Sequence, residues 1–600
     1  MDEAEEALFD MDLPLGVYYV KEEKAPEGYY RSDKKNMVDA RSFENTLIRK
    51  NYQTVFENRK TMLQVNFMDY DTEVELDGVT FRILDADGNT VSSQVSVHNG
   101  NTWIRGLNIG ETYIIEETKV RPGYRMEILE KENYESPYKK QGYRKDGLFF
   151  DGKECKLLQC GKNRAKIMLT DKESVQYVSL FNQAAFGKLK IEKKGEVPKT
   201  SIVKGKLEQI AYENKGLPGA EYDISAEEVI AHPDGYSKAL YQAGEKLGHV
   251  ITDKDGKAYM EEIPLGNYQV TETRAPKGYV RSADQASKLV QMNWKESKDT
   301  ELVAEVLFLN ERQKPDIGQD PKEPENGKVV NPQWKGKSGI YKVCIDGEKQ
   351  NQAKGAEFTL YAKEDVTDAE GKIVIPAGTQ IEQAVSDDSG RAAFAADLPM
   401  GVYMVKETRA PEGYYLSNAE VIFDFEQYKD KDQIAIVRMQ GEIRNAATRV
   451  RLFLKDDHTG KELAGAKLQI MDEEGKVHTA VSTTNSEGEG MEILGLEPEK
   501  KYRIVEIMPR SGYHKEILIP KTMQGKLKKL EQNRVEFSLP QIFSQDNMDN
   551  IPKPVKLELE NAFLTGTLRV EKNRGNPEWS RTEGRICRNI MESDQNMVSL

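Results

Sequence analysis

One phrase recurs along this chain. Residues 13–30 read LPLGVYYVKEEKAPEGYY, residues 263–280 read IPLGNYQVTETRAPKGYV, and residues 398–415 read LPMGVYMVKETRAPEGYY. Looser copies lie at 107–124 (LNIGETYIIEETKVRPGY) and 496–513 (LEPEKKYRIVEIMPRSGY). A unit repeated at regular intervals requires an array of similar modules and argues against one large single-core enzyme. Each copy places a glutamate seven residues before a tyrosine. The glutamates are Glu22, Glu117, Glu272, Glu407 and Glu506, and the tyrosines are Tyr29, Tyr124, Tyr279, Tyr414 and Tyr513.

Two further landmarks divide the chain. A late asparagine follows an apolar run at Asn58, Asn182, Asn310, Asn445 and Asn561. Successive asparagines are roughly 120 residues apart, the size of one small domain. A second phrase opens a strand in each complete copy: DGVTFRI at 77–83, PGAEYDI at 218–224, KGAEFTLY at 354–361 and AGAKLQI at 464–470. The expected boundaries are complete modules at 59–186, 187–310, 338–447 and 448–562. Residues 1–58 form the back half of another. Residues 311–337, rich in proline and charge, read as a stiff linker. Residues 563–600 start a further module whose pattern is lost after Asn576. Beginning and ending mid-module is what a fragment or a shifted reading frame gives, so the acidic, signal-free start carries no information on location.

The 600 residues carry a formal charge of −14, and 31% are charged. That balance disfavours nucleic acid as a partner, which needs clustered positive charge. No apolar run is long enough to span a membrane. Only four cysteines are present, so disulfides are not the main staple. Cys155 and Cys160 are close enough to bond and read marginally better as free thiols.

Alternating apolar runs such as VYMVKET, separated by turns such as DADGN (85–89), TDKDG (252–256) and SDDSG (386–390), predict short strands and hairpins throughout. The predicted class is an all-β tandem of β-sandwiches in an elongated array. The Asp85–Asp87 and Asp253–Asp255 turns lack the distal glutamate of a calcium loop and read as hairpin turns. Neither a metal set nor a cofactor motif stands out, and cofactors are expected to be none. An insertion at 126–175, with the basic run KKQGYRK at 139–145, is the one feature favouring a specialised binding face.

The phrase Y-x-V-x-E-T-x-A-P-x-G-Y, the GA-x-F strand and the late asparagine closely resemble the SpaA-like, Cna B-type prealbumin-like domains of Gram-positive surface proteins and pilins. The resemblance covers residues 1 to about 572 and is most specific at 187–310 and 338–447. It implies small reverse-Ig-like β-sandwiches strung as a stalk on the cell surface or cell wall. It also implies a self-made isopeptide bond between a first-strand lysine and the last-strand asparagine, assisted by the repeated glutamate.

The chemistry such a bond requires can be stated from its parts. Burial lowers a lysine's pKa and frees its lone pair, and it raises a glutamate's pKa and keeps it protonated. A neutral carboxyl can polarise the asparagine amide and carry protons to the departing ammonia. In the module at 187–310, Leu189, Ile191 and Lys193 share one strand face, so Lys193 should point inward. Lys193 and Asn310 are the expected bond, with Glu272 as its catalyst.

The other modules depart from this pattern. At 338–447, Glu407 and Asn445 are present, but the family's spacing of eleven residues before the GA glycine lands on Cys344. Lys342 lies two residues earlier on the same face. Absence of a bond is the favoured reading, and Lys342 acting in a shifted strand is the alternative. At 448–562, Glu506 and Asn561 are present, and the candidate Lys455 is out of phase with Val450, Leu452 and Leu454. At 59–186 the first strand, MLQVNFMD, has no lysine beside Glu117 and Asn182, so no bond is expected.

The expected function is a structural stalk or shaft, with an adhesin whose modules bind host protein or glycan as the alternative. Enzymatic turnover is not expected. Expected partners are the cell wall or neighbouring pilin or adhesin domains, with host matrix or glycan under the alternative.

Overall fold

A computed structural model describes residues 7–9, 11–41, 52–98, 100–129, 152–171, 173–281, 286–295, 302–318, 329–330, 337–346, 349–479, 482–483, 485, 489–541, 553–568 and 584–585. Nearly all regular structure is strand, with short 3-10 turns at Glu426–Tyr428 and Lys521–Met523. Among the described residues, no helix is long and apolar enough to cross a membrane. The chain divides into two compact units: Met1–Gly195 with Lys215–Pro276 and Arg281–Asn310, and Glu196–Asn214 with Lys277–Val280 and Glu311–Leu600.

The first unit holds two sandwiches. In the first, Met62–Asp69 lies between Val175–Asn182, which runs parallel to it, and Asn101–Arg105. The facing sheet runs Lys156–Gly161, Arg164–Met168, Thr112–Lys119, Thr80–Leu84, Thr90–Ser96. Leu63, Val65, Phe67, Phe81, Ile115 and Leu180 fill the space between the sheets. In the second sandwich, Phe186–Val203 pairs in parallel with Leu302–Arg312 over Gly187–Gly195 and antiparallel with Lys257–Pro264. The facing sheet is Lys246–Ile251, Glu221–Ala226, Gly266–Arg274, Ser287–Met292. Upstream, Val17–Lys21 pairs with Lys35–Asp39, and Tyr29–Tyr30 with Arg59–Lys60.

The second unit holds the other two. In the third sandwich, Gly339–Asp346 pairs in parallel with Gln440–Ala446. It faces a sheet containing Gln380–Val385, Glu357–Ala362, Val402–Arg409 and Glu420–Asp424. In the fourth, Arg449–Asp456 pairs in parallel with Val555–Asn561 and faces Lys467–Asp472, Lys501–Met508 and Arg534–Ser538.

Two readings from the sequence need revision. Residues 311–337 are not wholly a linker. Lys314–Asp316 and Val329–Val330 both pair with Ile434–Arg438, and Arg312, Gln313 and Ile317 are buried. The supposed insertion at 126–175 supplies, over its described part, the hairpin Lys156–Gly161/Arg164–Met168. The fourth sandwich has the same hairpin at Lys528–Glu531/Arg534–Ser538, so it belongs to the fold. The basic run 139–145 lies outside the described residues. Cys344 fills the core as expected of a small apolar side chain, and Cys155 and Cys160 are not joined in a disulfide. Cys587 lies outside the described residues.

Candidate functional site

The site arises where the first and last strands of a sandwich run side by side. In the second sandwich, burial alternates along Leu189, Ile191 and Lys193, so the lysine enters the core as its strand parity requires. The parallel register sets Lys193 against Phe308 and Gly195 against Asn310. Lysine and asparagine are thus offset by one inward-facing step, which a four-carbon side chain spans.

Glu272 comes from the facing sheet, where it is paired with Tyr222. Its Oε1 lies 2.7 Å from Lys193 Nζ and accepts from Asn310 Nδ2 at 2.9 Å. Lys193 Nζ in turn donates to Asn310 Oδ1. All three side chains are buried, beside the Phe308 ring. Burial lowers the Lys193 pKa to about 8, against the opposing pull of Glu272.

The third sandwich repeats this arrangement. Lys342 is set against Ile443 and Cys344 against Asn445. Lys342 Nζ donates to Asn445 Oδ1 and lies 3.0 Å from Glu407 Oε1. Asn445 Nδ2 donates to Glu407 at 3.0 Å (Oε1) and 2.8 Å (Oε2). Burial lowers the Lys342 pKa as well. Lys342, the alternative to the favoured absence of a bond, is the residue that the geometry brings to Asn445 and Glu407. Lys342 occupies the place of Lys193. The spacing rule missed it because the hairpin Gly339–Asp346/Lys349–Gln352 puts Lys342 two residues farther from the GA glycine than the rule counts, which lands on Cys344.

A local signal marks the lysine position independently of loop length. The backbone N–H of Lys193 donates to Gly256 O (2.7 Å), and that of Lys342 to Gly390 O (2.7 Å). These glycines close the TDKDG and SDDSG turns with φ of +74°. At Gly256 a Cβ would come within 2.4 Å of Lys193 O, so the close approach also demands glycine. Asp253 Oδ1 accepts the N–H groups of Asp255 and Lys257, and Asp85 Oδ1 those of Asp87 and Asn89. Both aspartates therefore act in hairpin turns.

The first and fourth sandwiches keep the glutamate and asparagine without the lysine. Asn182 Nδ2 donates to Glu117, and Asn561 Nδ2 to Glu506. By register, Phe67 and Leu454 stand where Lys193 and Lys342 stand elsewhere. The Phe67 N–H again donates to the turn glycine, Gly100 O, at 3.1 Å. The carbonyl oxygens of Asn182 and Asn561 are buried without a hydrogen-bond partner, the place a lysine would fill. Lys455 does not reach this site. It lies on the outer face and pairs with Glu558 at 2.7 Å. Burial raises the Glu117 pKa to about 8 and that of Glu506 in the same direction. In the partial module, Asn58 Nδ2 likewise donates to Glu22 at 2.9 and 2.7 Å.

Tandem β-sandwiches whose parallel first and last strands converge on a buried glutamate–asparagine pair define the class of this protein. The model of the SpaA prealbumin-like fold domain matches residues 61–142, 203–305, 338–440 and 449–532, and the chain belongs to that family. No curated protein sequence matches it. Among solved structures, the Bacillus anthracis TIE protein is similar at 17% identity and a TM-score of 0.33, over 81% of this chain and 69% of that one. BcpA, the major pilin subunit of Bacillus cereus, is similar at 13% identity and a TM-score of 0.26, over 63% and 99%. The full-length major pilin SpaD from Corynebacterium diphtheriae is similar at 15% identity and a TM-score of 0.25, over 63% and 97%.

Proposed function

We propose that this chain is a load-bearing shaft of a bacterial cell-surface protein of the pilin type, with its second and third sandwiches closed by autocatalytic isopeptide bonds. The bonds are Lys193–Asn310 and Lys342–Asn445. The observation that carries this reading is the contact of each buried lysine nitrogen with both its asparagine carbonyl and its glutamate.

The neutral lysine attacks Asn Cγ, and its Nζ–Cγ bond replaces the bond from Cγ to the amide nitrogen. The protonated glutamate polarises the amide and relays the proton lost by Nζ to the leaving nitrogen, which departs as ammonia. Positioning supplies most of the acceleration, because both reactants are held in contact in a dry core. The reaction consumes its own side chains, so it is a maturation step without turnover.

Partner subunits or cell wall at the ends of the shaft follow from the same reading. Pulling on the termini of such a sandwich loads the first and last strands, and a covalent bond between them carries that load.

Intact-mass measurement of the folded 600-residue chain tests the proposal. The expected mass is two ammonia below the sequence mass, with one restored by Glu272→Ala and the other by Glu407→Ala. An unmodified wild-type mass overturns it.

A further inference from the structure

The first strand of the first sandwich ends in a turn, Asp69-Tyr70-Asp71-Thr72. Asp69 Oδ1 accepts the N–H groups of Asp71 and Thr72, both at 2.7 Å, and its Oδ2 accepts Tyr124 Oη at 2.7 Å. The fourth sandwich builds the same turn. Asp456 Oδ1 accepts the N–H groups of His458 and Thr459, and its Oδ2 accepts Tyr513 Oη at 2.8 Å. There the two residues after the aspartate, Asp457 and His458, are exposed. In the first sandwich, Asp71, the counterpart of His458, is only 3% exposed.

The cover comes from a loop of the second sandwich within the same compact unit. His232 and Asp234 on that loop are themselves buried. His232 Nδ1 lies 3.8 Å from Asp69 Oδ2 and 3.4 Å from Asp234 Oδ2. The junction is fixed on both sides. Arg121 donates to the Asp234 backbone carbonyl at 3.1 Å, and Trp294 Nε1 to that of Tyr124 at 3.0 Å.

Asp234 is committed to its own turn, accepting the N–H groups of Tyr236 and Ser237 and the Ser237 hydroxyl. Asp69 holds its own turn as well, and it is grouped with Asp71 and His232. One donor atom from each lies within 4.8 Å of the other two. Three buried carboxylates therefore surround one imidazole. Asp69, Asp71 and His232 are all buried, at a seam where one sandwich covers a turn of the other.

We propose that this junction binds one divalent transition-metal ion through Asp69, Asp71 and His232, and that the ion locks the first two sandwiches together. Two carboxylate oxygens and one imidazole nitrogen form a donor set suited to zinc, with a fourth position left for water. Two anionic aspartates and a neutral His232 balance the dication. Tyr124 Oη on Asp69 is then the outer-shell donor that orients a ligand.

The test uses the full chain, stripped with chelator and titrated with zinc(II), with bound metal counted by mass spectrometry. Wild type should take up one more equivalent than either His232→Gln or Asp71→Asn. Zinc should slow hydrogen exchange across the loop at 230–241 in wild type and not in the variants. Both substitutions should fold, since the fourth sandwich carries histidine in place of Asp71 in the same turn. Unchanged exchange in Lys257–Pro264 would verify this. Equal zinc content in wild type and variants, or no zinc-dependent protection of the loop, overturns the proposal. Neither result bears on the isopeptide bonds, which are read by mass.

Discussion

Lys342 donates to the side-chain carbonyl of Asn445 from the neighbouring parallel strand, and Glu407 contacts both residues from the opposite sheet. The same three-way contact joins Lys193, Asn310 and Glu272 in the other unit. Two sites built from strands with different hairpin lengths meet the same geometric need. Each sets the lysine against the residue two before the asparagine in the parallel register.

The third sandwich should therefore be cross-linked. Proteolytic digestion of the denatured chain should yield a branched peptide joining the segments around Lys342 and Asn445. Lys342→Met should abolish it and leave the Lys193–Asn310 peptide intact. Recovery of only linear peptides from this region in wild type would refute a bond there.

A missing lysine should be replaceable. Glu506 and Asn561 already face Leu454, and the Asn561 carbonyl lacks a hydrogen-bond partner. Leu454→Lys is expected to form a new bond and lower the intact mass by one further ammonia. Leu454→Lys with Glu506→Ala should stay unbonded and lose stability, roughly 3 kcal/mol or more, because a buried charge then has no acidic partner.

Glu117 gives the first sandwich a pH dependence. Burial raises its folded pKa to about 8, from 4.5 for an exposed glutamate. A raised acid pKa means that the folded state holds the proton more tightly. Its contribution is fully present below the unfolded pKa and is lost as pH rises from about 4.5 to 8. The loss is up to about 5 kcal/mol for a shift of this size. Hydrogen exchange in Val175–Asn182, corrected for the intrinsic effect of pH, should show falling protection across that window. Glu117→Gln should flatten the profile.

Preventing closure of the second sandwich should weaken it. A cross-link spanning Lys193 to Asn310 restricts the unfolded chain and, by analogy with disulfides, is worth roughly 4–5 kcal/mol. Asn310→Ala should lower the temperature at which exchange protection of Leu302–Arg312 is lost. Protection of Arg449–Asp456 in the fourth sandwich should be unaffected.

Much of this was legible in the sequence because a strand has a period of two. The repeated glutamates, the late asparagines and Lys193 could be assigned to the core from parity alone, and the same parity kept Lys455 out of it. Parity does not determine which residues of two distant strands face each other. Counting back from the GA glycine put Cys344 at the lysine position, because hairpin length varies freely without disturbing the register of the first strand against the last. That register, fixed by packing and by the turn glycines, brought Lys342 to Asn445. It also placed Phe67 and Leu454 at the positions a lysine would take. Nothing in the local sequence of His232 points to Asp69 and Asp71. Their meeting depends on one sandwich burying the turn of another, and only the tertiary structure decides such a long-range contact.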